Sequence, residues 1–125
     1  ITFIDCMCNA GVYKDGDLCT SMCVLQTFIE LARRYPQKKY RLMLNDNDKN
    51  RVKIIKKIIT SIRAKKYDNL EIFIMNMDVN DYLEYLSKNH MYDSTCMTVV
   101  VFSGMDTRQL FMLILTISEQ YRYRR

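Results

Sequence analysis

Four times along this chain a short run of apolar and β-branched residues gives way to a stretch with helical spacing, and that alternation constrains the fold more than any other feature. The runs are Thr2 to Ile4, which leads into Asp5, then Tyr40 to Leu44, Leu70 to Met75 and Thr98 to Phe102. Thr20 to Arg34 follows the first, with Met22, Leu25, Phe28, Ile29 and Ala32 on one helical face, Thr20 or Ser21 able to cap its start, and Pro36 to stop it. About Lys49 to Lys65 follows the second, with Val52, Ile55, Ile58, Ile59 and Ile62 on one face, after a turn and N-cap from Asn45-Asp46-Asn47-Asp48. Asp78 to Lys88 and Thr107 to Tyr121 complete the pattern. Four βα units in succession predict a parallel sheet with right-handed crossovers and helices on both faces, a Rossmann-like α/β domain. The near-continuous apolar run Leu70 to Met75 predicts a strand covered on both sides, and Thr98 to Phe102, rich in β-branched residues, is the best candidate for a central buried strand.

At 125 residues and 49% hydrophobic, the chain can bury one core, so residues 1–125 read as a single domain. It does not begin with Met and its first strand starts at residue 2, which suggests part of a longer protein. The five cysteines are Cys6, Cys8, Cys19, Cys23 and Cys96. Neither Cys6-x-Cys8 nor Cys19-x3-Cys23 is followed by the second ligand pair of a zinc site, so they read as thiols in a reducing, cytoplasmic compartment with no metal. The most apolar stretch, Met97 to Ile117, carries Asp106 and Arg108 in its middle, which excludes a membrane span there. His90 is the sole histidine and lies in a polar segment, so no nucleophile–histidine pair is expected.

In a parallel sheet every strand points the same way, so Asp5, Asp46 and Asp78, each just after one of the first three strands, gather along one rim. Open α/β sheets bind ligands at the carboxyl ends of their strands, where carboxylates accept from the hydroxyls and amines of a nucleoside-like ligand. Asp46 has a competing role as a helix cap in its Asn/Asp-rich segment. The loop from Asp5 to Thr20, small-residue at Asn9-Ala10-Gly11, is the first place to look for function.

The segment Phe3-Ile4-Asp5 through Gly11, then Tyr13 and Asp15-Gly16-Asp17, resembles the first motif of the three-Cys-motif partner proteins, which share the fold of S-adenosylmethionine-dependent methyltransferases. Leu44-Asn45-Asp46-Asn47-Asp48-Lys49-Asn50-Arg51 and Asn76-Met77-Asp78 are similar to that family's second and third motifs. Asn9 stands where the family usually has Gly, Cys19-Thr20-Ser21 replaces Gly-Ser-Pro, and Ser103-Gly104-Met105-Asp106 replaces an Asp-Pro-x-Gly type sequence. The resemblance implies the first four βα units of a methyltransferase-type sheet, in the order 3-2-1-4, with an unpaired edge on the fourth strand. It also implies S-adenosylmethionine as cofactor. Asp5 and the Asn9-Ala10-Gly11 backbone would approach its methionine end, Asp46 its ribose hydroxyls and Asp78 its adenine amine, with Met77 packed on the ring. The distance from Gly11 to Asp46 exceeds the roughly 20 residues of a dinucleotide fingerprint, which disfavours nicotinamide and flavin cofactors.

Lys and Arg exceed Asp and Glu by 19 to 14, and Lys53, Lys56, Lys57 and Arg63 fall mostly on the polar face of the second helix. Such a face can track phosphates, but without interleaved aromatic residues the sequence favours a solvated face over a nucleic-acid groove. Two classes of function therefore stand: a methyltransferase-like domain with an unknown acceptor, and a non-catalytic module of the same fold binding a protein partner or nucleic acid. Fold alone does not choose between them.

Overall fold

The computed structural model describes residues 1–9, 20–62, 67–89 and 97–101. Four strands, β1 (Thr2–Asp5), β2 (Tyr40–Asn45), β3 (Leu70–Met75) and β4 (Thr98–Val101), alternate with α1 (Thr20–Arg34), α2 (Lys49–Ile62) and α3 (Val79–Lys88). Every strand pairing is parallel and the order is β3-β2-β1-β4, the α/β architecture that the alternation predicts. The expected helix Thr107 to Tyr121 and His90 lie outside the described residues.

Side chains alternate across a strand, and here the alternation separates two cores. Phe3, Leu42 and Leu44 face one way, where Met22, Leu25, Phe28 and Ala32 of α1 and Ile55 and Ile59 of α2 close over them. Ile4 and Met43 face the other way, against Tyr82 and Leu86 of α3. This division follows from a constant crossover hand: the chain steps from β1 to β2 to β3 in one direction, then reverses to reach β4, so the third helix must cross on the opposite face. The rings of Phe28 and Tyr40, 5.5 Å between centroids, join α1 to the start of β2.

Helix ends follow local chemistry. Pro36 disfavours helical backbone at Tyr35, and α1 ends at Arg34. The Asp48 carboxylate accepts from the amides of Asn50 and Arg51 at 2.8 and 3.2 Å and caps α2. Thr20 and Ser21, expected as caps, instead lie inside the first turn of α1.

Two strand expectations need correction. β3, at the edge of the described sheet as the order 3-2-1-4 implies, is not covered on both faces: Ile72 and Ile74 pack on the α1/α2 core, while Phe73 on the other face is 39% exposed. β4, by its residues the best candidate for a central buried strand, pairs among the described residues with β1 alone, in keeping with the unpaired edge that the order 3-2-1-4 implies, and Val99 is exposed. The fully buried strand is β1, with β2 close behind. A run of β-branched residues records fitness for a pleated surface, and does not specify how many neighbours the strand has.

Candidate functional site at the carboxyl rim

Strand order reverses at β1, with β2 on one side and β4 on the other, so the crevice beyond the carboxyl ends of β1 and β4 is the topological switch point. Asp5 closes β1 there. Parallel register sets Asp5 level with Leu44, and Leu44 level with Ile74, so Asp46 stands two residues beyond that level and Asp78 four. The three aspartates thus form a rising diagonal along one rim.

Asp5 is fully buried. One carboxylate oxygen accepts from the Met7 amide at 3.2 Å and the other from the Ser21 hydroxyl at 2.5 Å. Asp5 therefore fastens the first turn of α1 and the start of the following loop to the end of β1. Burying a carboxylate is expensive even when it is hydrogen-bonded, which makes its placement informative. Burial pushes the neighbouring Cys6 thiol up to about 12, and the negative charge of Asp5 adds to the rise.

Asp46 is 3% exposed. Its Oδ2 accepts from the Asn9 amide and its Oδ1 from the Asp48 amide, both at 2.9 Å, with the half-exposed Arg51 guanidinium 3.6 Å away. Asn9 has φ 64°, in the left-handed region that Asn tolerates better than most residues, which suits a position where the resembling family carries Gly. That turn aims the Asn9 amide at Asp46 and joins the loop after β1 to the end of β2.

Asn45 is the hub that sequence reasoning missed. It is 1% exposed, its side-chain amide donates to the carbonyls of Cys6 and Met77 at 3.1 and 3.0 Å, and its Oδ1 accepts from the Met77 amide at 3.0 Å. Both amide hydrogens are used, so one side chain ties together the segments following three strands. Asn76 adds a bond from its side chain to the Asp46 carbonyl at 2.9 Å. The available signal was an Asn directly after an apolar run in two consecutive strands, Leu44-Asn45 and Met75-Asn76.

The expected site residues divide accordingly. Asn9 and Asp46 are in contact, and Met77 is tethered to them through Asn45 and Asn76. The Met77 side chain is half-buried against the Ile4, Met43, Tyr82 and Leu86 cluster. Asp78 is exposed and caps α3, accepting from the Asn80 amide at 3.0 Å. Ala10 and Gly11 lie outside the described residues, as do Cys19, Arg63 and Cys96. Among the described residues no group of three or more His, Cys, Asp or Glu side chains could hold a metal ion, and no helix is long and apolar enough to cross a membrane.

The arrangement offers acceptor oxygens and a folded-back loop at a sheet rim, which suits hydrogen-bonded capture of a polar ligand. Comparison of the chain with family models, with curated proteins and with solved structures finds no match in any of the three.

Proposed function

We propose that this chain binds S-adenosylmethionine at the carboxyl rim and is methyltransferase-like, with an acceptor of unknown class. The observation that supports this best is the position of Asp5 at the carboxyl end of β1, the strand at which the order of a parallel β3-β2-β1-β4 sheet reverses. In this reading the Asn9-Ala10-Gly11 backbone approaches the methionine end of the cofactor, with Asp5 holding the loop and α1 in place. A carboxylate has about four lone-pair sites. Asp46 uses two on backbone amides and turns part of a third toward Arg51, which leaves room to accept from a ribose hydroxyl. Asp78 faces the adenine amine with the oxygen that capping leaves over, and Met77 borders the ring. The cofactor supplies an electrophilic methyl group, and the chain's task is to hold an acceptor in line with it. The same reading places the chain in the cytoplasm with a small-molecule cofactor as its first partner.

Calorimetry with S-adenosylmethionine and its demethylated product tests this. Wild type binds, and Asp46→Ala weakens binding by about 1 to 3 kcal/mol through loss of a charge-assisted hydrogen bond. Unchanged affinity in a folded Asp46→Ala protein removes Asp46 from the site. No binding by wild type favours the non-catalytic module.

A further inference from the structure

We propose that the outward face of α2 docks on the phosphate ridge of a nucleic-acid duplex, without reading its sequence. This does not rest on the cofactor reading, because it uses a different surface. α2 carries Lys49, Arg51, Lys53, Lys56 and Lys57 and no acidic residue in its 14 positions. All five are exposed. Arg51 leans toward Asp46, but Lys49, Lys53, Lys56 and Lys57 have no ion-pair partner among the described residues.

The other elements handle their cations differently. On α1 Glu30 pairs with Arg33 and Arg34, on α3 Glu84 pairs with Lys88, and across β2 and β3 Arg41 pairs with Glu71. An ordinary solvated face mixes signs in this way, and α2 does not. Lys56, Lys57, Thr60 and Ser61 also line a shallow surface recess of about 370 Å³ near the end of that row. Its donors suited to phosphate oxygens are the two ammonium groups, because the Thr60 and Ser61 hydroxyls beside them donate to the Lys56 and Ile58 carbonyls of the helix.

A membrane surface is the poorer fit. Interfacial helices insert an apolar face, whereas Val52, Ile55 and Ile59 of α2 are already buried against the sheet. A single strand also fits less well, since α2 has no aromatic residue on which bases could stack. What remains is a row of charge from Lys49 to Lys57, about 12 Å long at 1.5 Å per residue, suited to the backbone of a duplex.

The test is anisotropy of a labelled 20-base-pair duplex against the full chain, across a salt series. Lys56→Glu/Lys57→Glu is compared with Lys38→Glu/Lys39→Glu, which changes net charge equally at exposed residues off α2. The expected result is binding that the α2 pair weakens at least tenfold at 50 mM salt, with the slope of log affinity against log salt reduced by about two, and that the control pair leaves within threefold. Equal losses in both pairs, or no duplex binding by wild type, overturn the proposal. So does binding of phosphatidylserine vesicles that depends on Lys56 and Lys57 when duplex binding does not.

Discussion

The two rims of the sheet are built from different materials. At the carboxyl rim the connections are made by buried side chains: Asp5, Ser21, Asn45 and Asp46, four of the five buried polar residues among those described. The fifth, Thr2, is at the amino rim, where the chain is held mainly by backbone bonds such as Thr2 to Met97 and Tyr40 to Asn69. Among the described residues the amino rim also has a side-chain clasp, Asn69, whose amide reaches the carbonyls of Ala32, Tyr35 and Lys38 at 3.1, 3.1 and 2.9 Å, but two of those bonds are exposed to water. Beside it lies an open hollow of about 570 Å³ bordered by Arg33, Lys39 and Tyr67. Burying polar groups costs free energy that apolar residues would avoid, so a rim made this way is shaped for something besides stability.

The largest effect that could break this contrast comes from cutting each clasp. Asn45→Ala should destabilise the fold by about 3 kcal/mol, since it strands the buried Cys6 carbonyl and the part-buried Met77 amide and carbonyl, while Asn69→Ala should cost about 1 kcal/mol because water replaces part of what is lost. Urea denaturation of both variants decides the matter, and equal losses would dissolve the distinction between the rims.

Alkaline pH sharpens it. The Cys6 thiol is raised in the folded state to about 12 from an ordinary value near 9, so folding favours its protonated form. That contribution is complete below about pH 9 and is lost as pH rises toward 12, with a slope of up to about 1.4 kcal/mol per pH unit. Wild type should therefore lose stability faster than Cys6→Ala between pH 9 and 11. Parallel profiles for the two proteins would mean that Cys6 does not sense its burial beside Asp5.

The smallest effect is expected at the exposed pair on α3. Lys88 holds the Glu84 carboxyl below the usual carboxylate range, but both groups lie in solvent. Glu84→Gln should lower Tm only slightly at low ionic strength and not at all at 0.5 M salt, because surface pairs are screened. A salt-independent loss would place more organisation on this face than the contrast between the rims allows.

Much of the fold was legible in the residues. The spacing of Met22, Leu25 and Phe28 marked the buried stripe of α1, and the boundaries of β3 coincide with its apolar run. A strand's neighbours were not legible, because Phe73 and Val99 have the chemistry of covered residues and their exposure depends on which helix crosses which face. At the site, the rim position of the aspartates followed from parallel strands, but their hydrogen bonds did not. Asn45 meets Cys6 across 39 positions and Met77 across 32, and only the assembled sheet brings those segments within reach of one amide. Asp78 could be placed on the rim from sequence, yet its capping of α3 was the stronger local demand.

Because the Asn45 side chain grips both Cys6 and Met77, the segments after β1 and β3 share one fastening, and loosening either should loosen the other. A ligand that quiets the first segment should therefore slow hydrogen–deuterium exchange at the Met77 amide even if it never touches that residue, and in Asn45→Ala this distant protection should vanish.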